Sequence, residues 1–283
     1  MSKLFVPLCA ISLFAQDARQ IVEESQKRGR SDSQHYEGLL KVTDGRGRAS
    51  EKRWTYDRIG SYGTSKSVLR FSAPAEVKGV ALLIVNHPDR ASDQWMYIPE
   101  IGRERRVAFQ DRSKRFFGTD FTFEDLEERD VNQYEYKLLS DETIEGADCW
   151  KIESRPRSSK PSQYSHSYVW VRKDNYTLAR IESYQGGKAI RQIQYSEIRP
   201  VQGVWTAHKL EMFDVGRNSR TTMTMDKLKL NVLLKEGTSR SRQFAGHYEA
   251  LARLSAAAGA EPGFHAERNA GIQRLRLSSG RGQ

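Results

Sequence analysis

Short segments in which apolar and polar residues alternate constrain the fold of this chain more than any other feature of its sequence. Alternation with a period of two is typical of β-strands, and these segments are rich in β-branched and aromatic residues. Asp44-Gly45, Gly186-Gly187 and Gln202-Gly203 join neighbouring segments closely enough to make hairpins. The predicted strands cover residues 36–43, 50–57, 66–72, 80–86, 94–99, 133–139, 149–154, 167–172, 177–184, 189–198, 204–213 and 221–230.

This succession of strands predicts a mainly β fold. About eleven sequential strands without crossover helices form an antiparallel meander, and a sheet of that length curls into a barrel or half-barrel because flat open sheets leave exposed edges. One short helix is predicted at residues 17–27, before the first strand. Residues 103–130 form a long aromatic and charged connection, which in a compact domain is usually functional.

The first residues predict export. Lys3 precedes a twelve-residue stretch, 4–15, in which only Ser12 is polar. This is the layout of a secretory signal peptide, and it is shorter than the roughly 20 residues of a transmembrane helix. We therefore expect residues 1–15 to be a cleavable leader and the mature protein to be periplasmic. Cys149 is then the only cysteine, so stability is expected to come from the core and not from a disulfide.

The net charge of +10 is unevenly distributed. Residues 238–283 hold seven Arg and three Glu, with Ala and Gly repeats and no strand alternation, and we predict a disordered basic tail without an assigned function. The predicted domain, residues 16–237, keeps a modest positive excess that suits an anionic lipid surface as well as nucleic acid. Since export is predicted, nucleic acid is not expected as a partner.

The sequence contains none of the common catalytic motifs. It has no Gly-rich phosphate loop, His-Glu-x-x-His pair, Cys-x-x-Cys or Gly-x-Ser-x-Gly elbow. Acidic residues do cluster in the long connection, but Arg112, Lys114, Arg115 and Arg129 are interleaved with them, and we predict neutralisation by ion pairing. No catalytic residue, metal or cofactor is therefore predicted. The acidic residues are Asp111, Asp120, Glu124, Asp125, Glu127, Glu128 and Asp130.

Aromatic residues are the positive signal. All five Trp residues lie in predicted strands, and alternation places Trp95 with Tyr97, and Tyr168 with Trp170, on shared faces. Two interpretations stay open at this point. The aromatic side chains could form an ordinary barrel core, or they could surround an apolar cavity, because a half-barrel with this many strands is too wide for its own side chains to fill easily.

Several sequence strings resemble the outer-membrane lipoprotein-sorting protein family, which is related to the LolA and LolB lipoprotein carriers. The resemblance extends from about residue 18 to residue 234, and the family normally ends soon after the last predicted strand, so the basic tail departs from it. The strings are PAEVKG at 74–79, DQWMYIP at 93–99, RERRV at 103–107, FFGTDFTFED at 116–125, YEYKLL at 134–139, WVRKDNY at 170–176 and GVWT at 203–206.

The resemblance implies an unclosed antiparallel half-barrel with a helical or loop lid, and an apolar cavity that takes up acyl chains. It implies a periplasmic, non-enzymatic carrier of lipids or lipoproteins, associated with an inner-membrane transporter of the RND or MMPL type; we expect a monomer. Candidate cavity and lid residues are Trp95, Tyr97, Phe116, Phe117, Phe121, Phe123, Trp170 and Trp205. Candidate residues for contact with lipid headgroups are Arg103, Arg105 and Arg106.

Two other functions remain as alternatives. The same fold could sense lipid or dock on a transporter without moving cargo. A hydrolase of envelope lipids or glycans could use Asp120, Glu124 and Asp125. The spacing of the acidic cluster that contains them fits no known cation-binding loop.

Overall fold

One antiparallel sheet of 13 strands contains most of the chain that the structure describes. The computed structural model describes residues 17–232. It has one α-helix, α1 (Ala18–Arg28), and short 3-10 helices at Tyr62–Thr64, Ala75–Val77, Phe109–Asp111, Glu124–Leu126 and Val131–Gln133. The strands are β1 (Ser33–Thr43), β2 (Ala49–Ile59), β3 (Lys66–Ala73), β4 (Ala81–Val85), β5 (Asp93–Ile98), β6 (Arg103–Arg106), β7 (Tyr134–Ile144), β8 (Ala147–Pro156), β9 (His166–Arg172), β10 (Leu178–Gln185), β11 (Lys188–Val201), β12 (Val204–Asp214) and β13 (Ser219–Leu230).

The pairing of β1 with β13 joins two meanders into this sheet. Strands β1–β6 follow one another on one side of the pair, and β13–β7 follow one another on the other side. The free edges are therefore β6 and β7, which are consecutive in the chain but lie at opposite ends of the sheet. The predicted unclosed antiparallel fold is confirmed.

The predicted strands all occur, and the structure adds one that the sequence did not reveal. Strand β6 lies within the segment predicted as a long connection. It pairs with β5 in a register that places Arg106 opposite Trp95 and Arg103 opposite Ile98. Its sequence, Arg-Glu-Arg-Arg, has no apolar alternation, so backbone pairing alone makes it a strand. At the β10–β11 hairpin, Gly186 and Gly187 both have positive φ, which a two-residue turn of this kind requires.

Helix α1 covers part of one face of the sheet, which we call the inner face. Asp17 caps the helix, and its side chain and that of Gln20 form a capping box. Ala18 and Ile21 are buried against a cluster on strands β8, β9 and β10. The helix thus begins one residue later and ends one residue later than predicted. The cluster consists of Ile152, Val169, Val171 and Ile181.

The β6–β7 connection, residues 107–133, packs onto the inner face of the other half of the sheet. Phe116 is fully buried, and its ring stacks on that of Phe71 at 5.4 Å between centroids. Phe121 and Phe123 are buried in the same cluster. Each buried Phe side chain contributes about 1.5–3 kcal/mol through removal of apolar surface from water. These aromatic side chains therefore fix the connection over β2, β3 and β4.

Asp120 anchors the connection to β13. Its side chain is completely buried and accepts hydrogen bonds from Ser219 Oγ at 2.5 Å and Thr221 Oγ1 at 2.8 Å. Arg115 Nη2 lies 2.7 Å from Asp120 Oδ1 in an ion pair. Arg191 donates to the backbone carbonyl of Asp120 at 2.5 Å. A buried carboxylate is stable only when its oxygens have partners of this kind.

The predicted leader and basic tail, residues 1–15 and 238–283, lie outside the described residues. The described part of the domain contains no helix long and apolar enough to cross a membrane.

We expect Asp120→Asn to lower the free energy of unfolding by about 3 kcal/mol, because the amide leaves Arg115 without its counter-charge and places an N–H₂ group against hydroxyl donors. Urea denaturation of the full chain measures this. Asp111→Asn is the matched control: Asp111 forms an exposed pair with Lys114 in the same connection, and its loss is expected to change stability by about 0.5 kcal/mol or less. Equal effects of the two substitutions would contradict the anchoring role.

Candidate binding cavity

A cavity of about 690 Å³ lies between helix α1, the β6–β7 connection and the inner face of the second meander. Small-molecule sites in proteins commonly measure about 300–1,000 Å³. Strands β7 to β13 all contribute lining residues, and so do the β9–β10 and β11–β12 turns.

The position of the cavity follows from the unequal covering of the two halves of the sheet. The phenylalanines of the connection fill the inner face over β2–β4. Over β8–β10 the cover is α1 instead, which has only Ala18 and Ile21 fully buried. Val22, which follows Ile21 in α1, is half-buried and lines the cavity. One short helix does not fill this half, so space remains beneath it.

Much of the cavity wall is apolar. Ile193 of β11 packs against the hydrophobic clusters of both halves of the sheet, and therefore lies where the two meet. Removal of an acyl chain from water onto such a wall is favourable by about 0.8 kcal/mol per CH₂ group. The aliphatic and methionine residues of the lining are Val22, Val169, Val171, Leu178, Ile181, Ile193, Val204, Ala207, Leu210, Met225 and Leu230.

The acidic run Glu124–Glu128 forms the polar side of the cavity, and most of its charge is neutralised within the protein. Glu127 is buried and pairs with Arg112 Nη1 at 2.9 Å and with the Lys160 ammonium. Gln94 Nε2 also donates to Glu127, at 2.8 Å. Asp125 accepts a hydrogen bond from the Tyr164 hydroxyl at 2.6 Å. Part of the predicted neutralisation by ion pairing is confirmed here.

Glu124 and Glu128 are the acidic groups whose pKa values rise in this wall. Burial raises the pKa of Glu128, although Arg58 at 3.4 Å and the Ser65 hydroxyl favour its ionised form. Burial likewise raises the pKa of Glu124, which accepts hydrogen bonds from the Ser162 hydroxyl and the Gln163 backbone N–H. Each carboxylate thus has protein donors of its own.

Arg129 lies in the same wall among tyrosines. Its guanidinium carbon is 4.7 Å from the centre of the Tyr134 ring, a cation–π contact. Tyr136 and Tyr195 also line the cavity and are close enough to Arg129 to influence its pKa. The Arg129 backbone carbonyl accepts a hydrogen bond from Gln26 of α1. The helix and the connection are therefore tied together at this residue.

Aromatic side chains also mark the rim of the cavity. Trp205, at the β11–β12 hairpin, lines the cavity while 47% of its surface is exposed. Arg28, at the end of α1, lies 4.1 Å from the centre of the Tyr176 ring, and both residues line the cavity. Amphipathic and aromatic side chains of this kind suit a boundary between water and an apolar interior.

The aromatic residues predicted from the sequence occupy three places in the structure. Trp205 lines the cavity. The four phenylalanines pack in the cluster beneath the connection, with Phe116, Phe121 and Phe123 buried and Phe117 partly buried. The prediction assigned these residues to the cavity or the lid. They belong to the lid: they pack against the inner face over β2–β4 and do not line the cavity.

Trp95, Tyr97 and Trp170 lie on the outer face of the sheet. Gln94 and Met96, the neighbours of Trp95, contact Phe123 and the inner cluster, so alternation turns Trp95 outward. Trp170 lies between Val169 and Val171, which line the cavity. Its Nε1–H donates to Glu142 at 2.8 Å. Alternation correctly groups these residues by face, but it does not say which face is the inner one.

The predicted headgroup residues Arg103, Arg105 and Arg106 lie on edge strand β6, outside the cavity lining. Arg106 pairs with Asp93 at 2.5 Å. Burial opposes ionisation of Asp93, but hydrogen bonds from Arg90, Arg106 and His87 outweigh it and lower its pKa to about 2. Arg106 is thus engaged in a local ion-pair network.

The acidic group considered for hydrolysis is held by structural contacts. Asp120 is enclosed by Arg115, Ser219 and Thr221, as described above, and it is not in the cavity lining. Asp125 accepts from Thr122 and Tyr164, and Glu124 from Ser162 and Gln163. Among residues 17–232, no group of three or more His, Cys, Asp or Glu side chains is arranged to hold a metal ion.

Sequence reasoning missed the tyrosines of the cavity and the role of Arg129. Tyr134 and Tyr136 are two residues apart on β7, and Ile193 and Tyr195 are two apart on β11, so each pair shares a face. This alternation was visible in the sequence. Only the pairing order of the strands shows that the two pairs face the same cavity.

Comparisons with known proteins place this geometry among related folds. A model of a family described as "Uncharacterized protein" matches residues 63–244, more than half of the chain. The search of curated proteins gave no match. A DUF1329 family protein from Desulfovibrio piger is 23% identical, with a TM-score of 0.73, and the match covers 77% of this chain and 94% of that one.

Two further solved structures share the fold. A putative outer-membrane lipoprotein-sorting protein domain from Vibrio parahaemolyticus is 24% identical, with a TM-score of 0.72, over 77% of this chain and 94% of that one. A LolA superfamily protein from Nitrosomonas europaea is 19% identical, with a TM-score of 0.62, over 77% and 96% of the two chains. The shared architecture agrees with the resemblance carried by the sequence strings: the chain has a LolA-like fold, and it belongs to the family whose model matches residues 63–244.

Proposed function

We propose that this protein is a periplasmic carrier that binds the acyl chains of a lipid or lipoprotein in the cavity beneath α1. The observation that carries the proposal is the 690 Å³ space with a largely apolar wall, left open between the helix and the sheet of a LolA-like fold. The related lipoprotein-sorting and LolA superfamily structures support it through their shared architecture.

The energetics of such binding require no chemical step. Each CH₂ group that enters the cavity contributes about 0.8 kcal/mol, which corresponds to about a fourfold change in Kd. Roughly ten buried carbons would contribute of order 8 kcal/mol before the costs of ordering the chain. Release needs only an acceptor that offers the acyl chain a comparable apolar environment. A binding protein, and not an enzyme, is the function that this geometry supports best.

The proposed location and partner come from the sequence. The apolar stretch after Lys3 supports export to the periplasm. The proposal includes delivery toward the outer membrane by a monomer, and an inner-membrane transporter of the RND or MMPL type as partner; this part rests on the family resemblance alone.

Filling part of the cavity is expected to weaken binding. Ile193→Trp places a large side chain where the two hydrophobic clusters meet, and we expect it to raise the Kd for a fluorescent fatty acid at least about tenfold, since two lost CH₂ groups already account for that change. Fluorescence titration of the full chain provides the measurement. Ala207→Phe, at another lining position, is a second variant should Ile193→Trp fold poorly.

Leu139→Trp is the matched control, because Leu139 is an exposed residue of β7 that does not line the cavity. Its Kd is expected to equal that of the unaltered protein. Undiminished binding by both cavity variants, with native thermal unfolding, would contradict the proposed site.

A regulatory module that senses lipid is the second candidate, supported by the tie between α1 and the connection at Arg129, which would let ligand in the cavity affect the outer surface of the lid. Transfer of labelled lipid from donor to acceptor vesicles separates the two functions. A carrier accelerates transfer in proportion to protein concentration, and Ile193→Trp removes the acceleration. Saturable binding with no acceleration of transfer would favour the regulator.

A further inference from the structure

Three arginines line the cavity, and they differ in how their charges are compensated. Arg28 pairs with Glu24 at 2.7 Å, and Arg58 pairs with Glu128 at 3.4 Å. Arg129 has no carboxylate within 4 Å among residues 17–232; its side chain makes one long hydrogen bond, 3.5 Å to Ser154 Oγ. Arginine remains charged in proteins, so the cavity contains a cation without a counter-ion in contact.

The surroundings of Arg129 could supply further donors to an anion. Tyr134, Tyr136 and Tyr195 line the cavity around it, and none of their hydroxyl groups is hydrogen-bonded to another of the described residues. Burial raises the pKa of Tyr195 to about 12 and raises that of Tyr136 further, so both are neutral phenols at physiological pH. Neutral phenols donate hydrogen bonds.

The carboxylates in the same wall do not replace the missing counter-ion. Asp125, Glu127 and Glu128 are held by the hydroxyl, ammonium and guanidinium groups described above. Glu124 is the acidic residue whose charge acts on Arg129, but it is not within 4 Å and is bonded to Ser162 and Gln163. An additional anion at Arg129 therefore does not displace an existing ion pair.

The apolar wall begins beside this polar group. Ile193 and Tyr195 lie two residues apart on the same face of β11, and both line the cavity. A ligand whose anionic group lies at Arg129 can therefore place an attached acyl chain against Ile193. The arrangement matches an amphiphile with one compact anionic end.

We propose that Arg129, assisted by the hydroxyls of Tyr134, Tyr136 and Tyr195, binds the anionic group of an acyl-chain ligand inside the cavity. The group is a carboxylate, as in a fatty acid, or a phosphate, as in a phospholipid. This inference rests on the proposed function and adds the chemical class of its ligand. It places headgroup recognition at the cavity wall and not at the arginines of β6.

The test compares ligands that share one acyl chain length and differ only at the polar end: laurate, dodecyl phosphate and uncharged 1-dodecanol. Each displaces a neutral fluorescent probe from the full chain at about pH 8. Charge-assisted hydrogen bonds predict that both anions bind about 10- to 100-fold more tightly than the alcohol. Stronger binding of dodecyl phosphate than of laurate would identify phosphate as the group; the reverse would identify carboxylate.

Single substitutions show which residues cause the preference for anionic ligands over 1-dodecanol. In Arg129→Met the preference is expected to fall to about threefold or less, while the Kd for 1-dodecanol changes little, because the acyl wall is intact. Tyr195→Phe, which keeps the ring, is expected to weaken laurate binding about three- to tenfold and to leave dodecanol unchanged. Arg199→Met is the control: Arg199 is an exposed arginine of the same strand, outside the cavity lining.

The failures of the two proposals are distinguishable. Equal affinity for the alcohol and the anions, or an anion preference that survives in both Arg129→Met and Tyr195→Phe, overturns the headgroup site and leaves the carrier function standing. If none of the three ligands displaces the probe, and the probe itself does not bind, the carrier function fails and the headgroup site fails with it.

Discussion

The structure depends on how a sheet with two free edges covers its own inner face. Strands β6 and β7 are consecutive in the chain but lie at opposite ends of the sheet, so the connection between them must cross the opening. Its phenylalanines fill the half formed by β2–β4, and Asp120 fastens it to β13. The other half is covered by the short helix α1 and by the last part of the connection. The cavity is the volume that this unequal covering leaves.

The same connection supplies the polar side of the cavity. Residues 124–129 of the connection line the cavity. Their acidic side chains pair with Arg58, Arg112 and Lys160 or accept hydrogen bonds from nearby hydroxyl groups. Burial of such charges is tolerated only because nearly all of them are compensated. Among the three arginines that line the cavity, Arg129 has no carboxylate within 4 Å in residues 17–232, and its backbone carbonyl is also the one that accepts a hydrogen bond from Gln26 of the helix. The contact between the helix and the connection thus occurs at the residue that carries this charge.

The sequence was sufficient for the fold because the relevant signals are local. Alternation identified twelve strands, three glycine-containing turns marked hairpins, and the predicted helix differs from the observed one by one residue at each end. Strand β6 has no alternating pattern, and it was missed because its pairing with β5 is made by backbone atoms. The site was harder, because it depends on the inner or outer assignment of each strand. Trp95, Trp170, Tyr136 and Tyr195 all lie in alternating strands. The two tyrosines line the cavity, whereas the two tryptophans face outward.

Strand β6 has a consequence for the protein in solution. An open sheet presents unpaired backbone groups at its margins, where a second molecule could add its own strand and begin an aggregate. Here one margin is only four residues long and consists of Arg103, Glu104, Arg105 and Arg106. Such a short, positively charged margin repels another copy of itself and offers little backbone to pair with. The arginines that the sequence assigned to lipid headgroups therefore oppose strand addition at this margin of the unclosed sheet.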